Sequence, residues 1–273
     1  MSKILLIIAV FMACASPPEK ETITIKGSDT MVILGQRWAE KYMQKNPNAI
    51  IQVTGGGSGT GISALINGTT DICNSSRPIK QSERDKLKEK YGSSGVEIKC
   101  ALDGLAVYVH ESNPVKELTM QQVKDIFTGK TTNWKDLGGP KANIILYSRE
   151  NNSGTYVYFK DEVLLGEDFA RNAQHMPGTA ALVNAVAKDK LSIGYGGSAY
   201  GKGIKELPIK KDEKSPAYSP TMENIKSGRY PISRYLYMYT RTRPTGAVKG
   251  FIDWALGNEG QKIVNEVGYY PIR

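Results

Sequence analysis

The chain has 273 residues and a formal net charge of +9 at pH 7. This length is enough for one large domain or two ordinary domains with real hydrophobic cores. The basic residues are scattered among acidic ones, as in Glu83-Arg84-Asp85-Lys86, and neither a basic helix nor an aromatic RNA motif is present. This pattern argues against a nucleic-acid partner, whereas a positive field would help to steer small anions towards a cleft.

The first twenty residues predict an export signal and tether rather than part of the fold. Lys3 precedes the apolar run Ile4 to Met12, which is too short for a permanent membrane span and is typical of a secretory signal. Cys14 stands where a bacterial lipoprotein signal places its lipidated cysteine, although Phe11 occupies a position usually held by an aliphatic residue. Acylation of Cys14 would anchor a periplasmic or cell-envelope protein to the membrane. Plain cleavage near Ala15 is the alternative.

Three predicted strands in the first part of the chain each run into small hydroxyl residues, glycines or arginine. The strands and the segments that follow them are Thr22 to Ile25 with Gly27-Ser28-Asp29-Thr30-Met31, Ala49 to Thr54 with Gly55-Gly56-Gly57-Ser58-Gly59-Thr60-Gly61, and Asp71 to Cys73 with Asn74-Ser75-Ser76-Arg77-Pro78. Helical spacing follows the first two, over 32–44 and from 62 onward. An α/β sheet whose carboxyl edge holds a ligand has this organisation.

Two longer strands bracket the middle of the chain and predict a second domain inserted in the first. The strand Val96 to Val109 passes through Asp103-Gly104, a pair that is also typical of a turn. The second strand, Ser233 to Thr242, alternates tyrosines with other residues. We therefore predict lobe I from 21–103 plus 236–273 and lobe II from 104–235, joined by two crossovers.

The remaining pattern indicates alternating helices and strands. Helices are predicted over 119–127 and 179–187, and strands over 143–147 and 191–195, which implies a parallel or mixed sheet. A helical pattern over 247–267 would close lobe I, with Trp254 and Trp38 as core residues, and Lys210 to Pro220 is expected to be a surface loop. Cys73 and Cys100 permit a disulfide in an exported protein, and buried thiols fit equally well.

A loop in the predicted lobe II carries the densest anion-binding chemistry. Arg149 lies four residues before Ser153-Gly154-Thr155, which precedes the helical stretch Tyr156 to Leu165. Arginine offers a planar donor fork that matches a tetrahedral oxyanion, and free N–H groups at a helix start attract anions. An ordinary N-cap beside a solvated arginine is the alternative for this segment taken alone.

Enzyme motifs fit poorly. Gly59-Thr60-Gly61-Ile62-Ser63-Ala64 matches G-x-G-x-x-A, but the next strand lacks an acidic residue for ribose. Gly56-Gly57-Ser58-Gly59-Thr60 misses the nucleophile motif G-x-S-x-G at its last position, and only His110 and His175 are available as bases. No spacing suggests a metal site or a cofactor. We expect a binding protein and not an enzyme.

Taken together, the motifs resemble those of the phosphate-binding proteins that feed high-affinity phosphate ABC transporters, over nearly the whole mature chain. The pieces that carry the resemblance are Gly27-Ser28-Asp29-Thr30-Met31, Gly57-Ser58-Gly59-Thr60-Gly61, Asp71-Ile72 with Ser75-Ser76-Arg77, Phe127-Thr128-Gly129 to Asn133-Trp134, Arg149 with Ser153-Gly154-Thr155, Tyr230-Pro231-Ile232-Ser233-Arg234, and Glu259-Gly260-Gln261 to Gly268-Tyr269. The resemblance implies a two-lobed periplasmic-binding-protein fold of type II, two crossover strands as the hinge, an anion between the lobes and an ABC permease as partner.

The resemblance also implies a set of phosphate ligands in this chain. They are Thr30, Met31, Ser58, Ser76, Arg77, Asp103, Arg149, Ser153, Gly154 and Thr155. Ser76 departs from the family pattern, because many members have there an aspartate that accepts the proton of hydrogen phosphate. Asp103 is the first candidate for a replacement acceptor, and Asp29 is the second.

The physical logic of such a site does not depend on the family. A buried phosphate dianion requires a hydrogen bond to every oxygen, from many neutral donors and one or two arginines. A buried carboxylate selects phosphate because sulfate has no proton to donate, a difference of roughly 1 to 3 kcal/mol or more. The open alternatives are another oxyanion, such as sulfate, molybdate or a phosphonate, and, as a weaker alternative, hydrolysis of phosphate esters.

Overall fold

The computed structural model describes residues 21–272, which form a mixed α/β fold and confirm the predicted class. The predicted signal and Cys14 lie outside the described residues. The strands are β1 (Glu21–Gly27), β2 (Ala49–Thr54), β3 (Ile72–Ser75), β4 (Val96–Val109), β5 (Leu118–Thr119), β6 (Ile145–Arg149), β7 (Gln174–Met176), β8 (Ser192–Gly197), β9 (Lys205–Leu207), β10 (Ile209–Lys210), β11 (Ala217–Tyr218) and β12 (Ser233–Thr240). The α-helices are α1 (Val32–Lys45), α2 (Ser58–Asn67), α3 (Gln81–Tyr91), α4 (Met120–Phe127), α5 (Gly154–Tyr158), α6 (Thr179–Lys188), α7 (Met222–Lys226), α8 (Gly246–Leu256) and α9 (Asn258–Val267).

One sheet continues through the molecule in the order β2-β1-β3-β12-β4-β8-β6-β7, with β9 also on β4. Its two ends are parallel, because β1 runs parallel to β2 and β3, and β6 runs parallel to β7 and β8. The centre is antiparallel, where β12 pairs with β3 and β4, and β4 with β8. Parallel strands align their carboxyl ends at one edge, so the loops that follow them meet there.

Strand β4 belongs to both parts of the sheet. Val96 to Gly104 pairs with β12, and Leu105 to Val109 pairs with β8. The Asp103-Gly104 pair therefore lies inside a strand and not in a turn. In this register Asp103 lies directly opposite Arg234 of β12.

Two large hydrophobic clusters lie on either side of this crossover. One is built from residues of 23–101 and 236–269, including Trp38 and Phe251, and the other from residues of 105–232, including Phe127 and Trp134. Apolar burial on this scale supplies most of the stability of an α/β fold. The boundaries of lobe I and lobe II stay a prediction, and we keep the two names for the predicted ranges.

Several local predictions need correction. The helix expected from 62 begins at Ser58, and the pattern over 247–267 is two helices that meet at Gly257. The expected 210–220 loop contains the short hairpin β10–β11. Trp38 is fully buried, whereas Trp254 is only half-buried and donates its indole N–H to Glu259.

The two described cysteines do not form a disulfide. Cys73 and Cys100 are both buried free thiols, and burial raises the pKa of each. Within 21–272, no helix is long and apolar enough to cross a membrane.

Candidate functional site

Hydroxyl groups from both predicted lobes meet in a buried polar cluster at the loops that follow the strands. We call this set the interlobe cluster: Ser28, Thr30, Ser58, Ser76, Asp103, Thr155 and Arg234, each at most 5% exposed. Thr30 Oγ1 of lobe I and Thr155 Oγ1 of lobe II lie 3.0 Å apart. The cluster therefore joins loops that are 125 residues apart in the chain.

Lobe I contributes three serines through three different loops. Ser28 Oγ donates to Ser76 Oγ at 2.8 Å, and the backbone N–H of Ser76 donates to Ser58 Oγ at 3.0 Å. Gly57 adopts a φ of +86°, a conformation that favours glycine, immediately before α2 begins. This turn brings Ser58 from the end of β2 to the first position of a helix.

Lobe II contributes the loop from Arg149 to Thr155. Ser153 caps α5, because its hydroxyl accepts from the N–H of Tyr156 at 3.3 Å. The predicted N-cap is thus present, and helix α5 continues without a break into a π-helical turn over Phe159–Val163. A Cβ atom at Gly154 would collide with Ser58 Oγ and lie 2.7 Å from Ser76 Oγ. Glycine therefore permits the close approach of this loop to lobe I.

The two crossover strands place an ion pair beside Thr155. Arg234 donates from Nε and Nη2 to Asp103 Oδ2 at 3.0 and 2.9 Å, and from Nη2 to Thr155 Oγ1 at 3.0 Å. Both side chains are fully buried, with 2% exposure for Arg234 and 0% for Asp103. Burial raises the pKa of Asp103, and the Arg234 guanidinium opposes that shift. A carboxylate of raised pKa is a stronger acceptor for a ligand proton.

Arg149 makes a second ion pair, which joins a loop of lobe II to the first loop of lobe I. Its Nη2 donates to Asp29 Oδ2 at 2.6 Å, its Nη1 to Thr179 Oγ1 at 2.8 Å, and its Nε to the carbonyl of Met176 at 3.3 Å. The other oxygen of Asp29 accepts from the N–H of Gly56 at 2.8 Å. Burial lowers the pKa of Arg149, an effect that Asp29 opposes, and the guanidinium remains charged.

Two predicted ligands are engaged elsewhere. The Met31 side chain is fully buried, and its N–H donates to the carbonyl of Ser28 at 2.9 Å within a 3-10 turn. Arg77 forms a bidentate pair with Glu83, at 2.9 and 2.7 Å, and also donates to the carbonyl of Pro78. None of the hydrogen bonds described for Arg77 reaches the interlobe cluster. The structure thus does not bring the Arg77 guanidinium to the other candidates, because a carboxylate six residues away in the chain holds it.

Asn152 and Tyr200 also join the predicted lobes, and the sequence did not single them out. The carbonyl of Asn152 accepts from the N–H of Gly59 at 2.9 Å, and its side chain donates to the carbonyl of Gly56 at 3.2 Å. Tyr200 donates its hydroxyl to the carbonyl of Asp29 at 2.8 Å.

In the sequence, Arg234 ends the motif Tyr230-Pro231-Ile232-Ser233-Arg234 and has no predicted role. The signal that could have found it is the antiparallel pairing of the two crossover strands, which sets it opposite Asp103.

The chemistry of the cluster suits a small polar anion. The Asp103–Arg234 pair of the cluster and the adjoining Asp29–Arg149 pair each cancel in formal charge, so the balance is set by neutral donors and by the starts of helices. Among the described residues no group of three or more His, Cys, Asp or Glu could hold a metal ion.

Comparison with known proteins gives consistent matches. A family model described as a PBP superfamily domain matches residues 13–259. The phosphate-binding protein PstS of Pseudomonas aeruginosa is 36% identical over 263 residues, which cover 90% of this chain and 81% of that protein. The protein of the same name from Bacillus subtilis is 32% identical, covering 92% of this chain and 81% of the relative.

Solved structures agree with the sequence comparisons. A putative phosphate ABC transporter substrate-binding protein from Clostridium perfringens, solved with bound phosphate, matches with a TM-score of 0.84 and 31% identity, over 93% of this chain and 100% of that one. An ABC-type phosphate transport receptor from Vibrio cholerae matches with a TM-score of 0.72 and 30% identity, over 91% of this chain and 99% of that chain.

Proposed function

We propose that this chain, which belongs to the PstS phosphate-binding proteins of the periplasmic-binding-protein superfamily, captures inorganic phosphate between two lobes and delivers it to an ABC permease. The observation that carries the proposal is the contact of Thr30 with Thr155 in a buried cluster. It brings hydroxyls from both lobes to one point with two arginines close by. A desolvated dianion requires such a convergence of donors.

The proposed phosphate ligands are predicted residues that belong to the interlobe cluster or to the loop beside it. They are Thr30, Ser58, Ser76, Asp103 and Thr155 of the cluster, and Arg149, Ser153 and Gly154 of the adjoining loop. Met31 is left out because its N–H donates to the carbonyl of Ser28. Phosphate would replace direct contacts within the interlobe cluster, such as that between Thr30 and Thr155, by contacts of each hydroxyl with an anion oxygen. Arg77 is left out because of its pair with Glu83.

Asp103 is proposed as the group that distinguishes phosphate from sulfate. Its Oδ1 is buried and has no hydrogen-bond partner within residues 21–272, while its Oδ2 is held by Arg234. A free carboxylate oxygen accepts the proton of hydrogen phosphate but repels a fully ionised sulfate. Asp29 is the weaker candidate, because both of its oxygens already accept hydrogen bonds.

The relatives named above are phosphate-binding transport proteins, and we extend that role to this chain as binding without turnover. The alternatives are a different oxyanion or hydrolysis of phosphate esters. Location outside the cytoplasm follows from the same role, and the lipid anchor at Cys14 stays a prediction.

Calorimetry of the purified protein with phosphate, sulfate and molybdate tests the proposal. We expect one phosphate per chain and an affinity for phosphate at least about tenfold higher than for the other two anions. Equal or tighter binding of sulfate or molybdate would assign a different ligand. Hydrolysis of phosphate esters that co-purifies with the protein would replace the binding role by an enzymatic one.

A further inference from the structure

We call Asp103 and Arg234 the hinge pair, and two of its buried atoms have no hydrogen-bond partner in the part of the chain that the structure describes. Arg234 Nη1 and Asp103 Oδ1 are inaccessible to solvent, and neither has a hydrogen-bond partner among residues 21–272. A buried guanidinium nitrogen without a partner costs the desolvation of its N–H groups, so native structures rarely leave one. The pair therefore has one donor group and one acceptor atom that its own contacts do not use.

The contacts of the Arg234 guanidinium limit the groups to which its Nη1 can donate. The Nη2 of the same group donates to Thr155 Oγ1, which in turn lies 3.0 Å from Thr30 Oγ1. The guanidinium also lies over the ring of Tyr158, 5.4 Å from its centre. A planar fork that is fixed by Asp103, Thr155 and Tyr158 has little freedom to turn its remaining N–H groups towards another partner.

Arg149 has fewer unused N–H groups for an anion than Arg234 has. Its three nitrogens already donate to Asp29, Thr179, Met176 and, at 3.4 Å, to the carbonyl of Pro177. One of its five N–H groups is left over, whereas both N–H groups of Arg234 Nη1 are unused. The sequence placed Arg149 and Arg77 among the ligands and gave Arg234 no role, whereas the geometry leaves more unused N–H groups on Arg234 than on Arg149.

We propose that Arg234 is a second anion-binding arginine of this site and donates directly to phosphate from Nη1. The inference rests on the proposed function and adds to it a residue that determines specificity. Arg234 donates to an unprotonated phosphate oxygen, and Asp103 beside it accepts the proton of the protonated oxygen. Both are fixed on neighbouring strands, so the pair is in place before the ligand enters.

The test is a double-mutant cycle on the full chain, in which the dissociation constant for phosphate is measured by titration. Titration of the parent comes first and tests the proposed function by itself. Arg234→Gln is expected to weaken phosphate binding by about 100-fold or more, because it removes a buried charge partner. Arg234→Lys keeps the charge without the fork, and is expected to fall between the parent and Arg234→Gln.

Arg241→Gln is the matched control. Arg241 follows the same strand, pairs with Asp71 at 3.7 Å and donates to the carbonyl of Thr70, outside the interlobe cluster. We expect its phosphate affinity within about twofold of the parent. Thermal unfolding without phosphate checks that each variant is folded, and Arg234→Lys carries the test if Arg234→Gln is not.

The double variant Asp103→Asn/Arg234→Gln separates direct binding from a structural ion pair. If Arg234 only neutralises Asp103, removal of both charges restores binding to the level of Asp103→Asn, and this result would overturn the proposal. If Arg234 donates to the anion, the double variant stays at least about tenfold weaker than Asp103→Asn. A parent that binds phosphate while Arg234→Gln and Arg234→Lys bind it equally well would also overturn the inference and leave the proposed function intact.

Discussion

Two arginine–aspartate pairs lie beside Thr30 and Thr155, and they differ in burial and in how they are supported. Asp29 and Arg149 come from loops of different predicted lobes, 120 residues apart, and Asp29 keeps 17% of its side chain exposed. Asp103 and Arg234 lie opposite each other on adjacent strands, and their exposure is 0% and 2%. Separation of the predicted lobes would break the first pair, which joins two loops, and leave the second intact, because β4 and β12 hold it at the crossover. The first pair therefore depends on closure, and the second is built into the hinge.

The largest effect is expected for the pair between the lobes. Arg149→Ala should weaken phosphate binding by about 3 kcal/mol or more, because it removes a buried cation that also holds the lobes through Asp29. Calorimetry measures the loss, with Arg84→Ala as the control. The Arg84 pair with Glu97 is partly exposed and is worth at most about 1 kcal/mol. Binding within a few-fold of the parent would remove Arg149 from the site.

The hinge pair is expected to control the choice of anion. Asp103→Asn should lower the ratio of phosphate to sulfate affinity by about tenfold, because an amide can donate to sulfate as well as accept from phosphate. The measurement is the ratio of the two dissociation constants in variant and parent at one pH and one salt concentration. An unchanged ratio would assign discrimination to Asp29 or to the hydroxyl groups.

Asp29→Asn tests the Asp29–Arg149 pair without removing the arginine. The variant loses the ionic contact with Arg149 but keeps a side-chain oxygen for the N–H of Gly56. We expect both anions to bind more weakly by about 1 kcal/mol with the ratio preserved, since closure is affected and proton recognition is not. Stopped-flow release of phosphate should be faster. A changed ratio would make Asp29 the proton acceptor instead of Asp103.

The smallest effect on binding is expected for Glu206, a half-buried carboxyl near the hinge pair. Burial, and then the charge of Asp103, raises the pKa of Glu206 from 4.5 to about 7. A raised folded-state pKa favours the protonated form, so the folded state loses stability as the pH rises from about 4.5 to about 7, with a slope of at most about 1.4 kcal/mol per pH unit.

Glu206→Gln should remove that slope and change phosphate affinity at pH 6 by less than about twofold. Thermal unfolding between pH 4.5 and 8 measures the slope, and the parent is the reference. An equal slope in both proteins would show that Glu206 does not titrate in this range.

Local sequence patterns predicted much of this molecule. Hydroxyl residues after alternating strands predicted that Thr30, Ser58 and Ser76 lie at one sheet edge, since parallel strands place their carboxyl ends together. The capping role of Ser153 and the two crossover strands were predicted as well, because each depends on the residues nearest to it. The conformation of Asp103-Gly104 was harder to predict, since the same two residues occur in turns and in strands.

The partners of the charged residues could not be predicted in this way. Arg77 looked equivalent to Arg149, and only the fold shows that α3 turns Glu83 towards it. The Asp103 and Arg234 pair depends on the register of two strands that are 131 residues apart. Such pairings are set by the packing of the whole sheet, which no local pattern contains.

A crystal structure of the protein with bound phosphate at neutral pH tests the central claim most directly. We predict one anion between the predicted lobes, with oxygens about 3 Å from Thr30, Ser58, Thr155 and Arg234 Nη1, and with Asp103 Oδ1 at hydrogen-bond distance from one of them. Phosphate elsewhere on the molecule, with the contact between Thr30 and Thr155 retained, would contradict the account.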